Sequence, residues 1–179
     1  MICMYIVLGR FQPFHKGHAY LVEAALEKGP TTIAIGSSQS EPSINNPWSV
    51  GEREEMIREW LGDREANIVH IADINDPPNW VEHATNFHGH GTLVTSDEDT
   101  KILYEKSEFP VEWVDLSERE SFEGWRVRAT LKMLSTVYEK EAQKQVMLQT
   151  IPPKVVDWLV ENDALYRLYA MSRDLEHVG

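Results

Sequence analysis

Residues 3–18 read CMYIVLGRFQPFHKGH. Residues 3–8 form a continuous apolar run that ends at Gly9, which is typical of a β-strand buried on both faces. From His18 onward the spacing of apolar residues becomes helical and continues to the Lys28-Gly29-Pro30 stop signal. A buried strand, a short loop and a helix form the first half of a βαβ unit, so this segment predicts a parallel sheet.

The remainder of the chain repeats this alternation. Further strands are predicted at 32–35, 67–71, 91–94 and 111–114. Helices are predicted from His18, behind a capping box at Ser49 and Glu52, at 80–87, at 99–106, at 124–138 and at 152–170. We therefore predict a Rossmann-like, doubly wound parallel α/β sheet of about five strands with helices on both faces. Residues 1–138 are expected to form this domain, and residues 139–179 a helical C-terminal extension packed on it.

Composition narrows the classes of function. The 179 residues carry a net charge of −12, which disfavours nucleic acid as a partner because such binding needs a broad basic face. No apolar stretch is long enough to span a membrane, and residues 1–8 lack the features of a signal peptide. Cys3 is the only cysteine, so we expect a small buried core residue in a reducing cytoplasm.

Ligands of open parallel sheets bind at the carboxyl ends of the strands, so the loops there are the ones to examine. The loop after the first strand delivers Arg10, His15, Lys16 and His18 to the start of a helix. Helix N-termini attract anions through free N–H groups, and imidazole and guanidinium groups stabilise charge that spreads over a reacting phosphate. The loop therefore predicts a phosphate site, the alternative being a polar surface loop with two incidental histidines.

The H-x-G-H pattern after a first strand resembles the signature of the HxGH nucleotidyltransferase superfamily. The whole stretch from Gly9 to His18 is similar to archaeal-type nicotinamide-nucleotide (NMN) adenylyltransferases in particular. The resemblance implies that His15, His18 and Arg10 are catalytic, with His18 at the α-phosphate of ATP. It also implies nucleotide binding by Gly9, Arg10, Phe11, His15, His18, Gly124, Arg126 and Arg128.

The second and third loops continue the resemblance. Residues 45–53, NNPWSVGER, are similar to the family's N-P-F-T-x-x-E-R segment, and residues 73–81, DINDPPNWV, to its D-I-N-D segment and W-V pair. The resemblance implies that the acceptor is bound by Ser37, Ser38, Gln39, Trp48, Asp73, Ile74, Asn75 and Trp80. Two alternatives stay open, namely that Trp48 packs onto the following helix and that Trp80 is a core residue with the acids as caps.

The last loops depart from the family pattern. Thr95-Ser96-Asp97-Glu98-Asp99 stands where the family has a Gly-Asn-Pro-like loop, and we expect Asp97 to cap the next helix. Glu123-Gly124-Trp125 lacks both hydroxyls of the family's second signature. Arg128 aligns with the signature arginine, and Arg126 lies on the same turn. His88-Gly89-His90 offers two metal ligands and no third, so a simple turn is expected.

The predicted activity is adenylyl transfer from ATP to NMN, giving NAD and pyrophosphate by in-line attack with no covalent intermediate. Mg²⁺ is expected to accompany ATP, no metal site is expected on the protein itself, and the chain is expected to form a homo-oligomer. One alternative is an adenylyl- or cytidylyltransferase of the same superfamily that acts on FMN or phosphopantetheine. Another is a nucleotide-binding module without turnover.

Overall fold

The computed structural model describes residues 2–117 and 119–176. Within these residues five strands form one parallel sheet, and all five lie where the sequence predicted them. They are β1 (Tyr5–Gly9), β2 (Thr31–Ile35), β3 (Asn67–His70), β4 (Thr92–Thr95) and β5 (Val111–Trp113). Their order across the sheet is β3-β2-β1-β4-β5, with every pair parallel. The doubly wound parallel sheet predicted from the sequence is confirmed.

Helices follow the strands in the predicted alternation. They are α1 (Lys16–Lys28), α2 (Val50–Leu61), α3 (Pro77–His88), α4 (Glu98–Lys106), α5 (Gly124–Leu134), α6 (Lys140–Met147), α7 (Pro153–Glu161) and α8 (Ala164–Glu176), with a short 3₁₀ helix at Arg119–Phe122. Several boundaries differ from the prediction: α3 begins at Pro77 instead of Trp80, α5 ends at Leu134 instead of near Tyr138, and the last predicted helix is divided at Asn162 and Asp163. Asp163 has a φ of 48°, which an α-helix cannot continue through.

The strand order reverses direction between β1 and β4. Connections from β1 run to β2 and β3 on one side, whereas the chain then crosses back to β4 and β5 on the other. Right-handed crossovers place α1 on one face of the sheet and α3 and α4 on the opposite face. The carboxyl ends of β1 and β4 therefore flank the point where such sheets bind their ligands.

Backbone contacts divide the chain into two compact units. The first contains residues 2–10, 18–39 and 63–117, and the second contains residues 11–17, 40–62 and 119–176. The sheet with α3 and α4 belongs to the first unit, and α2 with α5 to α8 belongs to the second. The domain boundary predicted at residue 138 stays a prediction.

The core of the first unit lies between the sheet and helices α3 and α4. One cluster comprises Ile6, Val81, Leu93, Tyr104 and Phe109, and another comprises Ala34, Ile71 and Ala84. Leu8 and Trp80 pack against both clusters. Cys3, which the sequence placed in this core, is exposed instead, because β1 begins only at Tyr5.

The second unit is held by polar contacts between distant helices. Ser49 caps α2 as predicted, accepting a hydrogen bond from the Glu52 N–H at 3.2 Å. The reciprocal half of the capping box is replaced, because Glu52 pairs with Arg167 of α8 at 2.6 Å. Trp158 of α7 donates its indole N–H to Glu55 of α2 at 3.0 Å. None of the helices in the described part of the chain combines the length and apolar character needed to cross a bilayer.

Candidate active site

The first loop of the second unit is buried. Phe11, Gln12, Phe14 and His15 are each at most 4% exposed. The ring of Phe14 lies 5.8 Å from that of Phe11 and 4.9 Å from that of Trp60. Five consecutive residues of the signature are thus fixed by packing, as a preorganised site requires.

His15 has one defined tautomer. Its Nδ1 accepts a hydrogen bond from the Gly17 N–H at 3.1 Å, so the proton of the neutral ring is on Nε2. Burial, with a smaller effect of the Arg128 guanidinium, lowers the pKa of His15 to about 3. At neutral pH the residue is therefore an uncharged hydrogen-bond donor held in one orientation.

Gly17 is required by close packing. A Cβ at this position would lie 2.8 Å from the Phe122 Cβ and 3.0 Å from Cε1 of His15. The Phe122 ring stacks on the imidazole of His15, with centroids 6.2 Å apart and planes 15° apart. The glycine of the H-x-G-H pattern thus leaves room for the histidine and the aromatic ring that covers it.

Arg128 of α5 is tied to the same loop. Its Nη1 donates to the main-chain oxygen of Gln12 at 2.9 Å. The Gln12 side chain donates to the Trp48 carbonyl at 2.9 Å and accepts from the Trp48 N–H at 3.1 Å. Gln12 therefore connects the histidine loop, the loop before α2 and helix α5.

The start of α5 carries the altered signature. Glu123 stands at the N-cap without a side-chain cap hydrogen bond, and its carboxylate accepts from the Trp125 indole N–H at 2.6 Å. Arg126 pairs with the same carboxylate at 3.4 Å and lies over the Trp125 ring at 4.7 Å. The acid is thus neutralised by its own helix, which reduces its repulsion of a phosphate.

In the first unit, the loops after β2 and β3 are bonded to each other. Asp73 accepts from the Ser37 hydroxyl at 2.6 Å and from the Gln39 amide at 3.4 Å. The Asp73 N–H in turn donates to Gln39 Oε1 at 2.9 Å. Three of the side chains predicted to bind the acceptor are therefore brought together.

A cavity of about 310 Å³ opens beside Asp73. Its lining combines the predicted residues with side chains from β1 and α4: Leu8, Asp73, Asn75, Asp76, Pro77, Trp80, Thr100 and Leu103. The lining surface is mostly apolar, and the loop after β3 contributes the polar side chains of Asp73, Asn75 and Asp76. Its size and character are those of a site for a small ring.

Three residues with left-handed backbone follow the ends of β1, β2 and β3. They are Phe11 (φ 54°), Ser37 (φ 49°) and Asn75 (φ 51°). For residues other than glycine this conformation costs about 1–3 kcal/mol each, and it concentrates in binding loops. The strain thus coincides with the loops that the sequence analysis selected.

The comparison with known families agrees with this geometry. The cytidylyltransferase-like family model matches residues 6–130, which include β1 through most of α5. The chain belongs to the cytidylyltransferase-like family. The resemblance drawn from the loop motifs is confirmed.

Relatives within the family share a name. The chain is 31% identical to the nicotinamide-nucleotide adenylyltransferase of Ignicoccus hospitalis, over 92% of this chain and 95% of that protein. It is 29% identical to the enzyme of the same name from Picrophilus torridus, over 95% of this chain and 98% of that protein.

A solved structure shares the fold. It is the crystal structure of a bifunctional NMN adenylyltransferase/ADP ribose pyrophosphatase from Francisella tularensis, with a TM-score of 0.64 and 23% identity. The match covers 91% of this chain and 54% of that longer one, so this chain spans about half of the bifunctional protein.

Several other residues predicted for the site lie at a strand end, in the first turn of a helix, on the surface or in the core. Gly9 ends β1, its carbonyl accepting from the Gly36 N–H at 2.9 Å, and Arg10 after it is exposed. His18 is half-buried in the first turn of α1, and Ile74 is exposed. Ser38 donates its N–H to the Ile71 carbonyl at 3.0 Å. Trp48 is 1% exposed, which matches the packing alternative.

Other residues were not selected by sequence reasoning. Gln12 and Phe122 support His15 and Arg128, whereas Leu8, Thr100 and Leu103 complete the cavity. Gln12 lies inside the quoted signature and was detectable as a polar residue flanked by buried aromatic residues. Phe122 offered no signal, because its contact with His15 joins positions that are distant in sequence.

Proposed function

We propose that this chain transfers the adenylyl group of ATP to NMN. An oxygen of the NMN phosphate attacks the α-phosphorus of ATP and forms a new P–O bond, while the bond from that phosphorus to the β-bridging oxygen breaks. NAD is formed and pyrophosphate leaves. The acceptor phosphate has a second pKa of about 6 and is mostly dianionic at neutral pH, so no general base and no covalent intermediate are needed.

The observation that carries this proposal is the state of His15. A buried neutral imidazole whose Nδ1 is occupied by the Gly17 N–H presents Nε2–H as a donor in a fixed direction. Such a donor stabilises charge that develops on a phosphoryl oxygen, and it needs no reorganisation during the reaction. It also transfers no proton, which suits a reaction in which the nucleophile is already ionised.

Cations complete the phosphate side. We assign Arg128, fixed by Gln12, to the β- and γ-phosphates, Arg10 to the phosphate chain, and His18 to the α-phosphate. The described residues contain no group of three or more His, Cys, Asp or Glu able to hold a metal. We expect Mg²⁺ to enter bound to ATP, where it offsets the charge of the triphosphate.

The acceptor side is the cavity of the first unit. Its Trp80 offers an aromatic face to the cationic nicotinamide ring, and Asp73 and Asp76 in the lining provide negative potential. A ring of opposite charge or greater size is disfavoured there. The relatives named nicotinamide-nucleotide adenylyltransferase support the same acceptor.

A cytoplasmic, self-associating enzyme is part of the proposal. The single cysteine suits a reducing compartment, and exposed apolar side chains such as Met133 and Tyr166 suit an interface between copies. Light scattering on the purified chain tests the second point, with a monomeric mass as the contrary result.

The test of the function is an acceptor panel. The enzyme is incubated with ATP, Mg²⁺ and either NMN, FMN or phosphopantetheine, and dinucleotide products are separated by chromatography. We expect product with NMN alone. Product with another acceptor would retain the phosphate chemistry and overturn the acceptor site, whereas nucleotide binding without any product would favour a module without turnover.

A further inference from the structure

The wall of the cavity is backed by a buried pair that the proposed reaction does not use. His88, the last residue of α3, is 4% exposed, and Tyr104 of α4 is 0% exposed. The Nε2 of His88 and the hydroxyl of Tyr104 are 2.9 Å apart. The pair therefore joins the two helices that supply half of the residues lining the cavity.

The other ring nitrogen of His88, Nδ1, determines which group donates in this hydrogen bond. Nδ1 of His88 donates to the Gly89 carbonyl at 2.7 Å, so Nε2 of the neutral ring accepts from the Tyr104 hydroxyl. Burial lowers the pKa of His88 and raises that of Tyr104, which keeps both groups uncharged. Gly89 ends α3 with a φ of 79°, so the chain leaves the helix at Gly89, and His88 is helical where a simple turn at His88-Gly89-His90 was predicted.

Aromatic contacts extend from this pair to the cavity. The Tyr104 ring meets the Trp80 ring edge to face, with centroids 6.3 Å apart. Phe109 closes the other side, 5.1 Å from Tyr104 and 5.6 Å from His88. Trp80 also lines the cavity, so the Tyr104 ring is in contact with a residue of the cavity wall.

We propose that the Tyr104–His88 hydrogen bond is a positioning device for the acceptor, which sets the spacing of α3 and α4 and holds the Trp80 ring at the cavity wall. This proposal rests on the proposed function for the identity of the acceptor. For the placement of Trp80 it rests on geometry alone. Neither residue is a catalytic residue, because each acts through Trp80 and the helix spacing.

The first test is a split between the two substrates. Tyr104→Phe keeps the ring and removes the hydroxyl, and we expect it to raise KM for NMN about fivefold with KM for ATP unchanged, the scale of one lost buried hydrogen bond. His88→Leu is expected to do the same, whereas His88→Gln, which retains an acceptor, stays near wild type. The double variant Tyr104→Phe/His88→Leu should match either single variant, since both remove one bond.

The matched control is Tyr138→Phe, a loss of the same hydroxyl from a fully exposed side chain. An unchanged KM for NMN in folded Tyr104→Phe and His88→Leu proteins would overturn the proposal. So would KM increases that multiply in the double variant.

A second test needs no turnover. The indole N–H resonance of Trp80, assigned with Trp80→Phe, is followed by NMR in the substrate-free protein. We expect it to move in Tyr104→Phe and to stay in Tyr138→Phe. An unmoved resonance overturns the positioning role whatever the acceptor is, whereas a wild-type enzyme that forms no NAD overturns only the proposed function.

Discussion

Arg128 donates from Nη1 to the main-chain oxygen of Gln12 at 2.9 Å, joining residues 116 positions apart. Gln12 is in turn held by two hydrogen bonds to the backbone of Trp48. The guanidinium that we assign to the triphosphate is thus part of the same rigid assembly as His15. We therefore expect loss of Arg128 to alter the geometry of His15, and loss of His15 to alter the geometry of Arg128.

Substitution of Arg128 tests the phosphate role. Arg128→Ala removes a charge and the tie to Gln12, so we expect kcat/KM for ATP to fall by about 100-fold or more. Arg128→Lys keeps the charge without the planar donor geometry, so its kcat/KM for ATP should lie between those of wild type and Arg128→Ala. Steady-state kinetics with ATP varied at saturating NMN gives the comparison. Arg58→Lys, in an exposed pair with Glu54, is the control, and an equal effect there would refute the assignment.

Substitution of Gln12 tests its structural role. Leu at this position leaves the Trp48 N–H and carbonyl without their buried partners, so the free energy of unfolding should fall by about 2–3 kcal/mol. Gln12→Glu can still accept from the N–H but cannot donate, and should be intermediate near neutral pH. Urea unfolding measures both. Gln145→Leu, at an exposed site on α6, should change the free energy of unfolding little. An equal loss of stability in Gln145→Leu would show that the Gln12–Trp48 hydrogen bonds are not the cause.

Two glycines in equivalent helical positions give a matched pair. Gly17 and Gly51 are each the second residue of a helix. A Cβ on Gly51 meets nothing closer than 3.9 Å, whereas one on Gly17 lies 2.8 Å from the Phe122 Cβ. Gly51→Ala should keep full activity and add up to about 1 kcal/mol of stability.

Gly17→Ala should displace Phe122 or His15 and lower kcat at least tenfold, about the effect of a misplaced donor. Measurement of kcat and of the unfolding midpoint in both variants separates the two effects. Full activity in Gly17→Ala would show that the packing around His15 is not needed.

His15 makes stability depend on pH. Its pKa falls from 6.5 to about 3 on folding, so below pH 6.5 the unfolded chain binds a proton that the folded protein does not. The resulting stability is therefore complete above pH 6.5 and is lost toward pH 3, at up to about 1.4 kcal/mol per pH unit. His88, whose pKa is also lowered, contributes in the same direction.

The variant His15→Asn keeps an acceptor for the Gly17 N–H and does not titrate. As the pH falls from 6.5 to 5, we expect its free energy of unfolding to decline less steeply than that of wild type. The difference in slope should correspond to about one bound proton. Gln145→Asn, an uncharged change at an exposed position of α6, should leave the wild-type slope. Identical slopes for His15→Asn and wild type would mean that His15 titrates normally in the folded protein.

The sheet was predictable because each strand is a local apolar run closed by glycine or polar residues. The elements from Tyr5 to Trp113 follow directly from that alternation. The Asp97 cap was predictable for the same reason, since its bond to the Thr100 N–H at 2.9 Å depends on a three-residue spacing. Local chemistry was also sufficient to select the loops of the candidate site.

Contacts between distant positions were not predictable from one sequence. Cys3 looked like a core residue because hydropathy does not reveal that pairing begins only at Tyr5. Arg53 is 0% exposed, with its Nε donating to the Ser49 carbonyl at 3.2 Å, and no local pattern indicates that this charged residue is buried. The same limit concealed the Tyr104–His88 bond, which depends on how α3 and α4 pack.

The most direct test of the central claim follows the α-phosphate of ATP. The enzyme is incubated with NMN, Mg²⁺ and ATP labelled with ³²P at either the α- or the γ-position, and the products are separated. We predict labelled NAD from the α-label only and labelled pyrophosphate from the γ-label only. We also predict that the reaction is at least about 100-fold slower for His18→Ala. Absence of α-label from NAD, or unchanged turnover in a folded His18→Ala protein, would contradict these predictions.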